Sequence, residues 1–253
     1  MSIRVEDPVL NMICPYGVDA IQKQEQLARY MELPKNESQG KLSFVLQHHW
    51  RGSSVHWDFR MALNAHLIGW SLLDNPKTDQ IPTNERDAAI LARSLSWAFK
   101  PKPGMDNRKV RTIMKARQPK EWLVFEGQVK PGTVGATRHG PGFFYTEDRG
   151  TVTFGTQKPY FHEYFLHGSK FKNLRVVVRG IKLARLDPET KKPIEGKFNL
   201  VWNAWVPESQ EPYAVSNRAK RENWYPPKGF IPIPAYWREK NKEQYNEWLE
   251  RVK

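Results

Sequence analysis

The stretch from Phe44 to Leu63, FVLQHHWRGSSVHWDFRMAL, carries three of the chain's seven histidines within nine residues, beside Asp58, Arg51 and Arg60. Side chains of an extended strand alternate between faces. Val55, Trp57, Phe59 and Met61 therefore share one side while His56, Asp58 and Arg60 share the other, spaced about 6.6 Å apart. The preceding strand divides in the same way, with Phe44 and Leu46 on one face and Val45, Gln47 and His49 on the other. A hairpin closed by WRGSS brings His49 back towards His56 and Asp58. Two imidazoles and one carboxylate leave coordination positions open, as catalytic metal sites do. Nitrogen and oxygen ligands without thiolate suit Mn²⁺, Fe²⁺, Zn²⁺ or Co²⁺. Arg60, one step further along, is a group that neutralises a phosphoryl oxygen as charge builds on it. The same His-x-Asp-x-Arg pattern also fits a solvated strand face tied by cross-strand ion pairs.

The elements that must position these residues are mostly strands. KLSFVLQ and SVHWDFRMAL are rich in β-branched and aromatic residues and flank a Gly/Ser turn; WLVFEGQV, GTVTFG, YFHEYFLHG, LRVVVRGIKLARL and NLVWNAWVP read as further strands. NERDAAILARSLSWAF reads as a helix capped by Asn84, with Ile90, Leu91 and Leu95 on its packing face. KPKPGMDNRKVR reads as a basic loop. Residues 1–40 form an N-terminal helical extension, 41–186 the main domain with an insertion at about 77–117, and 187–253 a C-terminal extension. That extension has an extended proline-rich run, YPPKGFIPIPAYW, and a last helix whose Tyr245, Trp248, Leu249 and Val252 form one stripe. Many short strands with few helices predict an α+β fold, mainly β, with the sheet curled into a barrel or sandwich.

The chain has 253 residues, and Lys+Arg 40 against Asp+Glu 27 gives a net charge of +13. A field of that sign draws polyanions, and 10 Trp with 9 Tyr provide rings that can stack on bases, so nucleic acid is the expected partner. Cys14, the single cysteine, can form no intramolecular disulfide and suits a reducing compartment. With no leader-like segment and no membrane-spanning run, the expectation is a soluble intracellular protein, of cytoplasm or nucleoid, without a membrane partner.

The hairpin and the WSLLDNP that follows resemble the signature of the 3'-phosphoesterase domain of bacterial DNA ligase D. FEGQVKPGTVGAT, TEDRGTVTF and YFLHGSKFKNLRVVVR resemble three later blocks of that family in the same order, over about residues 41–180. The resemblance implies a compact β-barrel with flanking helices. It also implies a divalent metal, Mn²⁺ first and Zn²⁺ or Co²⁺ as alternatives, and removal of a 3' phosphate or 3' ribonucleoside from nucleic-acid 3' ends, those of DNA with or without RNA. The family's metal ligands fall on His49, His56 and Asp58, and its phosphate-contacting arginine on Arg60. His48 is the neighbouring alternative to His49; strand alternation and the position of Gln47 favour His49. A histidine and a tyrosine that touch the phosphate in the family are replaced here by Gln118 and Trp122, in RQPKEW. Arg60, Gln118 and Trp122 are thus the candidate catalytic residues, although Gln118 donates a hydrogen bond without donating a proton near neutral pH. His139 is a loop imidazole that would replace the missing one, or an exposed side chain; His167 reads as part of a structural turn. The two substitutions also support a second reading: a nucleic-acid-binding or scaffold subunit that holds a protein partner through its insertion or terminal extensions.

Overall fold

The computed structural model describes residues 42–63, 66–73, 78, 80–95, 109–226, 230 and 233–253. The N-terminal helix read from residues 1–40, Cys14 with it, lies outside them, as do most of the basic loop and part of the proline-rich run. The strands are β1 (Leu42–Arg51), β2 (Ser54–Leu63), β3 (His66–Leu72), β4 (Val110–Gln118), β5 (Gly127–Val129), β6 (Gly142–Lys158), β7 (Phe161–Gly168), β8 (Lys172–Leu186) and β9 (Pro193–Trp205). They pair antiparallel in the order β1-β2-β3-β4-β9-β8-β7-β6, and β6 returns to β1, so eight strands close a ring; β5 adds to β6. Closure leaves no free edge among those eight.

Each ring strand contributes alternate residues to one interior cluster, including Phe44 and Leu46 of β1, Trp57, Phe59 and Met61 of β2, Trp70 of β3, Tyr164 of β7 and Trp202 of β9. Those bulky inward positions are the apolar face read from the alternation of β1 and β2. The end of the stretch read as an insertion is a ring strand, since β4 pairs with both β3 and β9. WLVFEGQV is only partly a strand. After Pro119, Lys120–Leu123 winds into a 3₁₀ turn and pairing resumes at Gly127.

Helix α1 (Glu85–Ser94) starts at Asn84, whose side chain accepts from the Asp87 N–H as its capping role predicts. Its buried face is Ala88 and Ala92, with Leu91 and Leu95 beside them, against Trp50, Val55 and Phe143. Ile90 is exposed instead, because the spacing 88, 91, 92, 95 holds the packing stripe and residue 90 falls off it. Among the last helices, α2 (Asn217–Arg221), α3 (Ala235–Lys240) and α4 (Lys242–Val252), α4 docks its predicted stripe. Trp248 is buried with Trp237, Ala214, Val215 and Ile233, and Tyr245, Leu249 and Val252 pack against them. No described helix is long and apolar enough to cross a membrane.

His162 faces the interior, where its Nδ1 pairs with Gln157 Oε1 at 2.8 Å and its ring packs against both Trp70 and Trp202. Burial pushes its pKa down to about 3. The unfolded chain takes up a proton there below about pH 6.5 and the folded chain does not, so this histidine withdraws stability as pH falls from 6.5 towards 3. The urea midpoint is expected to fall below pH 6.5, His162 alone contributing up to ~1.4 kcal/mol per pH unit. His162→Gln should flatten that slope. An unchanged slope in the variant would contradict the assignment.

Candidate metal centre

The outward face of the β1–β2 hairpin is the site. Pairing sets His49 opposite His56, Gln47 opposite Asp58 and Val45 opposite Arg60, so the alternate residues of both strands land together. Asp58 is fully buried. Its Oδ2 accepts from Arg60 Nη2 at 2.7 Å and faces His49 Nδ1 at 3.3 Å; its Oδ1 meets Lys115 Nζ at 2.8 Å, Ser71 Oγ at 2.9 Å and His56 Nε2 at 3.4 Å. Burial alone would raise its pKa, but Arg60 and Lys115 hold it well below the usual carboxylate range.

His49 Nδ1 and His56 Nε2 lie 3.0 Å apart. With Asp58 they form a triangle of residues, the carboxylate meeting the two rings through different oxygens: Oδ2 lies 3.3 Å from His49 Nδ1 and Oδ1 lies 3.4 Å from His56 Nε2. One donor atom from each residue lies within 4.8 Å of the other two, a grouping that could hold one divalent metal. His49 is also fixed from behind. Its Nε2 donates to the Gly135 carbonyl at 2.6 Å, which leaves Nδ1 as the lone-pair nitrogen facing the triangle, and its ring stacks on Phe144 at 4.0 Å. Burial holds its pKa below the ordinary imidazole value, with Asp58 pulling the other way; a metal requires that neutral form.

His48 points to the opposite face. Its Nε2 donates to Glu147 at 2.6 Å, and its ring stacks beside Trp50 and lies against Trp57. Burial, with Lys170 adding to it, puts its pKa at about 3. Between the two adjacent histidines, strand alternation alone selects His49. His139 is exposed, and among the described residues no hydrogen bond ties it to the triad. His167 bridges Thr153 and Asn173 at 3.0 and 2.9 Å, a structural link across neighbouring strands.

Arg60 is gripped on every nitrogen. Nε donates to Gln118 at 3.0 Å, Nη1 to Gln47 and Nη2 to Asp58. The Trp122 and Phe144 rings lie 5.2 and 5.4 Å from its guanidinium carbon. Gln118 and Trp122 therefore both touch Arg60, Trp122 from the 3₁₀ turn where it packs on Phe125 and Phe144. Gln47 is a positioning residue, bonding the Phe125 carbonyl through its Nε2 at 2.6 Å.

Lys115 and Gly135 are the parts of the site that the sequence did not disclose. Lys115 lies in what read as an insertion. Gln118 pairs opposite Leu67 and Lys115 opposite Gly69, so three residues of β4 span two of β3. Plain alternation would put residues 115 and 118 on opposite faces; the extra residue brings both to the site. Gly69 stands between Arg60 and Lys115, and a Cβ there would lie 2.0 Å from the Phe59 carbonyl oxygen. Only glycine fits there, and Lys115 reaches across β3 to Asp58.

Gly135 has φ +91°, and a Cβ there would meet the Phe144 ring at 2.7 Å. Gly135→Ala should therefore shift the carbonyl that holds His49. The expected result is about 10–100-fold weaker Mn²⁺ binding, the usual cost of losing a group behind a ligand, with a thermal unfolding transition still present; unchanged affinity would show that the carbonyl does not set the ligand. The chain matches no protein-family model and no curated protein.

Proposed function

We propose that the protein is a metal-dependent phosphoesterase acting on 3' ends of nucleic acid, removing a 3' phosphate or a 3' ribonucleoside. In this reading the eight-strand ring is a β-barrel of the ligase D phosphoesterase kind, and the molecule is soluble and intracellular. The observation that carries the proposal is the His49–His56–Asp58 triangle, a grouping that could hold one cation and is backed by Gly135. Mn²⁺ is the cation favoured by the resemblance, with Zn²⁺ or Co²⁺ as alternatives; bound there, it would supply a Lewis acid for a phosphoryl oxygen or an activated water.

The chain's own residues do the rest. His49 and His56 present nitrogens, and Asp58 gives the ligand set a negative charge that the surrounding cations hold ionised. Gln118, its oxygen used on Arg60, keeps an NH₂ to donate. Trp122 and Phe144 screen one side of Arg60 from water. The net charge of +13 would draw a polyanionic substrate towards the protein.

One observation favours the second reading, a nucleic-acid-binding or scaffold subunit without turnover. The Arg60 side chain is only 2% exposed and its three nitrogens are all engaged within the protein. A single assay separates the two. Release of phosphate or ribonucleoside from a primer-template with Mn²⁺ should occur with the wild type and fall by more than about 100-fold in His56→Ala, beyond the loss typical of groups behind a ligand. Equal turnover by both proteins would end the enzyme reading at this site; salt-sensitive nucleic-acid binding with no turnover in any divalent metal would select the second.

A further inference from the structure

Two positive side chains adjoin Asp58, and they differ in what they have left to offer. Arg60 is 2% exposed, sits beside two aromatic rings and gives each nitrogen to a protein oxygen. Lys115 is 15% exposed, close to the 14% of His56, the most open of the three candidate ligands. The site therefore opens on the side of His56 and Lys115. An ammonium carries three donors, and the contact it makes at the site is with Asp58 Oδ1, on the carboxylate that a metal would also use.

We propose that Lys115, rather than Arg60, is the cation that this site presents to a substrate phosphate. The proposal rests on the metal-dependent phosphoesterase reading. Without metal, Lys115 neutralises Asp58 from the open side. With a divalent cation held by His49, His56 and Asp58, the carboxylate would be neutralised there, and the Lys115 ammonium would be free to turn to an anion bound beside His56. Arg60 is then a positioning residue that fixes Asp58, Gln47 and Gln118. Lysine serves here because it is a compact point charge on a flexible stem, able to leave one oxygen for another, whereas the guanidinium is locked in its planar fork.

The test measures inorganic phosphate affinity in the presence of Mn²⁺, and Mn²⁺ affinity by itself, for the wild type, Lys115→Met, Lys115→Gln and Lys115→Arg, each checked for an intact unfolding transition. Loss of one charged hydrogen bond should weaken phosphate binding by about tenfold or more in the Met and Gln variants. Lys115→Arg, which keeps the charge, should recover most of it. Mn²⁺ should bind the Met and Gln variants at least as tightly as the wild type, since a positive neighbour of the metal is gone. Unchanged phosphate affinity in both neutral variants, or no phosphate binding by the wild type, would overturn the proposal. So would weaker Mn²⁺ binding by the neutral variants, which would make Lys115 a support for the ligands. If the wild type binds phosphate through Lys115 but binds no Mn²⁺, the metal-dependent reading falls while the assignment of Lys115 stands.

Discussion

A buried carboxylate is the constraint around which the rest of this site is arranged. Asp58 is fully buried, and an ionised carboxyl group removed from water is tolerated only when charge and hydrogen bonds replace its hydration. Arg60, Lys115, Ser71 and His56 do so, with His49 beside them. The five come from four different strands. The need to bring them together explains features that otherwise look unrelated: a glycine at 69, an irregular pairing in β4, and a glutamine, Gln47, buried beneath an arginine. Removing one partner of such a cluster typically costs about 3–5 kcal/mol, so the cluster is both a candidate reaction centre and a determinant of how β1 to β4 pack.

The alternation of β1 and β2 does two jobs with one pattern. Inward residues fill the ring with Phe44, Leu46, Trp57, Phe59 and Met61, and this apolar set fixes the register, because a slip by one residue would turn every side chain to the other face. Once the register is fixed, His49 must oppose His56, and Gln47 must oppose Asp58. The core thus determines the ligand geometry, and the choice between His48 and His49 follows from parity alone.

This is also why part of the site was legible in the sequence and part was not. His49, His56, Asp58 and Arg60 share a local hairpin, where period-two alternation and a short turn are enough to predict a common face. Lys115 lies more than 50 positions further on, and its presence depends on a pairing irregularity that alternation does not encode. Gly135 contributes a backbone oxygen, for which no residue type is a signature, although a positive φ and the crowding by Phe144 explain why a glycine stands there. The strand-rich, mainly β character was legible from composition and turn spacing. The closed order of the ring was not, because it depends on β4 pairing with β9 and β6 with β1, contacts between distant segments. WLVFEGQV reads as a strand from its apolar content, yet after Pro119 the chain winds into a 3₁₀ turn and Trp122 becomes a cover over Arg60.

That cover changes what the two substituted positions mean. A tyrosine at 122 would bring a hydroxyl to the phosphate side, whereas the indole brings a broad apolar ring that approaches the guanidinium and packs on Phe144 and Phe125. A histidine at 118 would offer a titratable nitrogen, whereas the glutamine uses its oxygen to hold Arg60 Nε. Together with Gln47 and Asp58 they build a closed cage around Arg60. In the proposed reading, a caged arginine would hold the carboxylate at a fixed angle and would not follow a moving phosphate, so the work of meeting the anion would pass to the cation that still borders the opening.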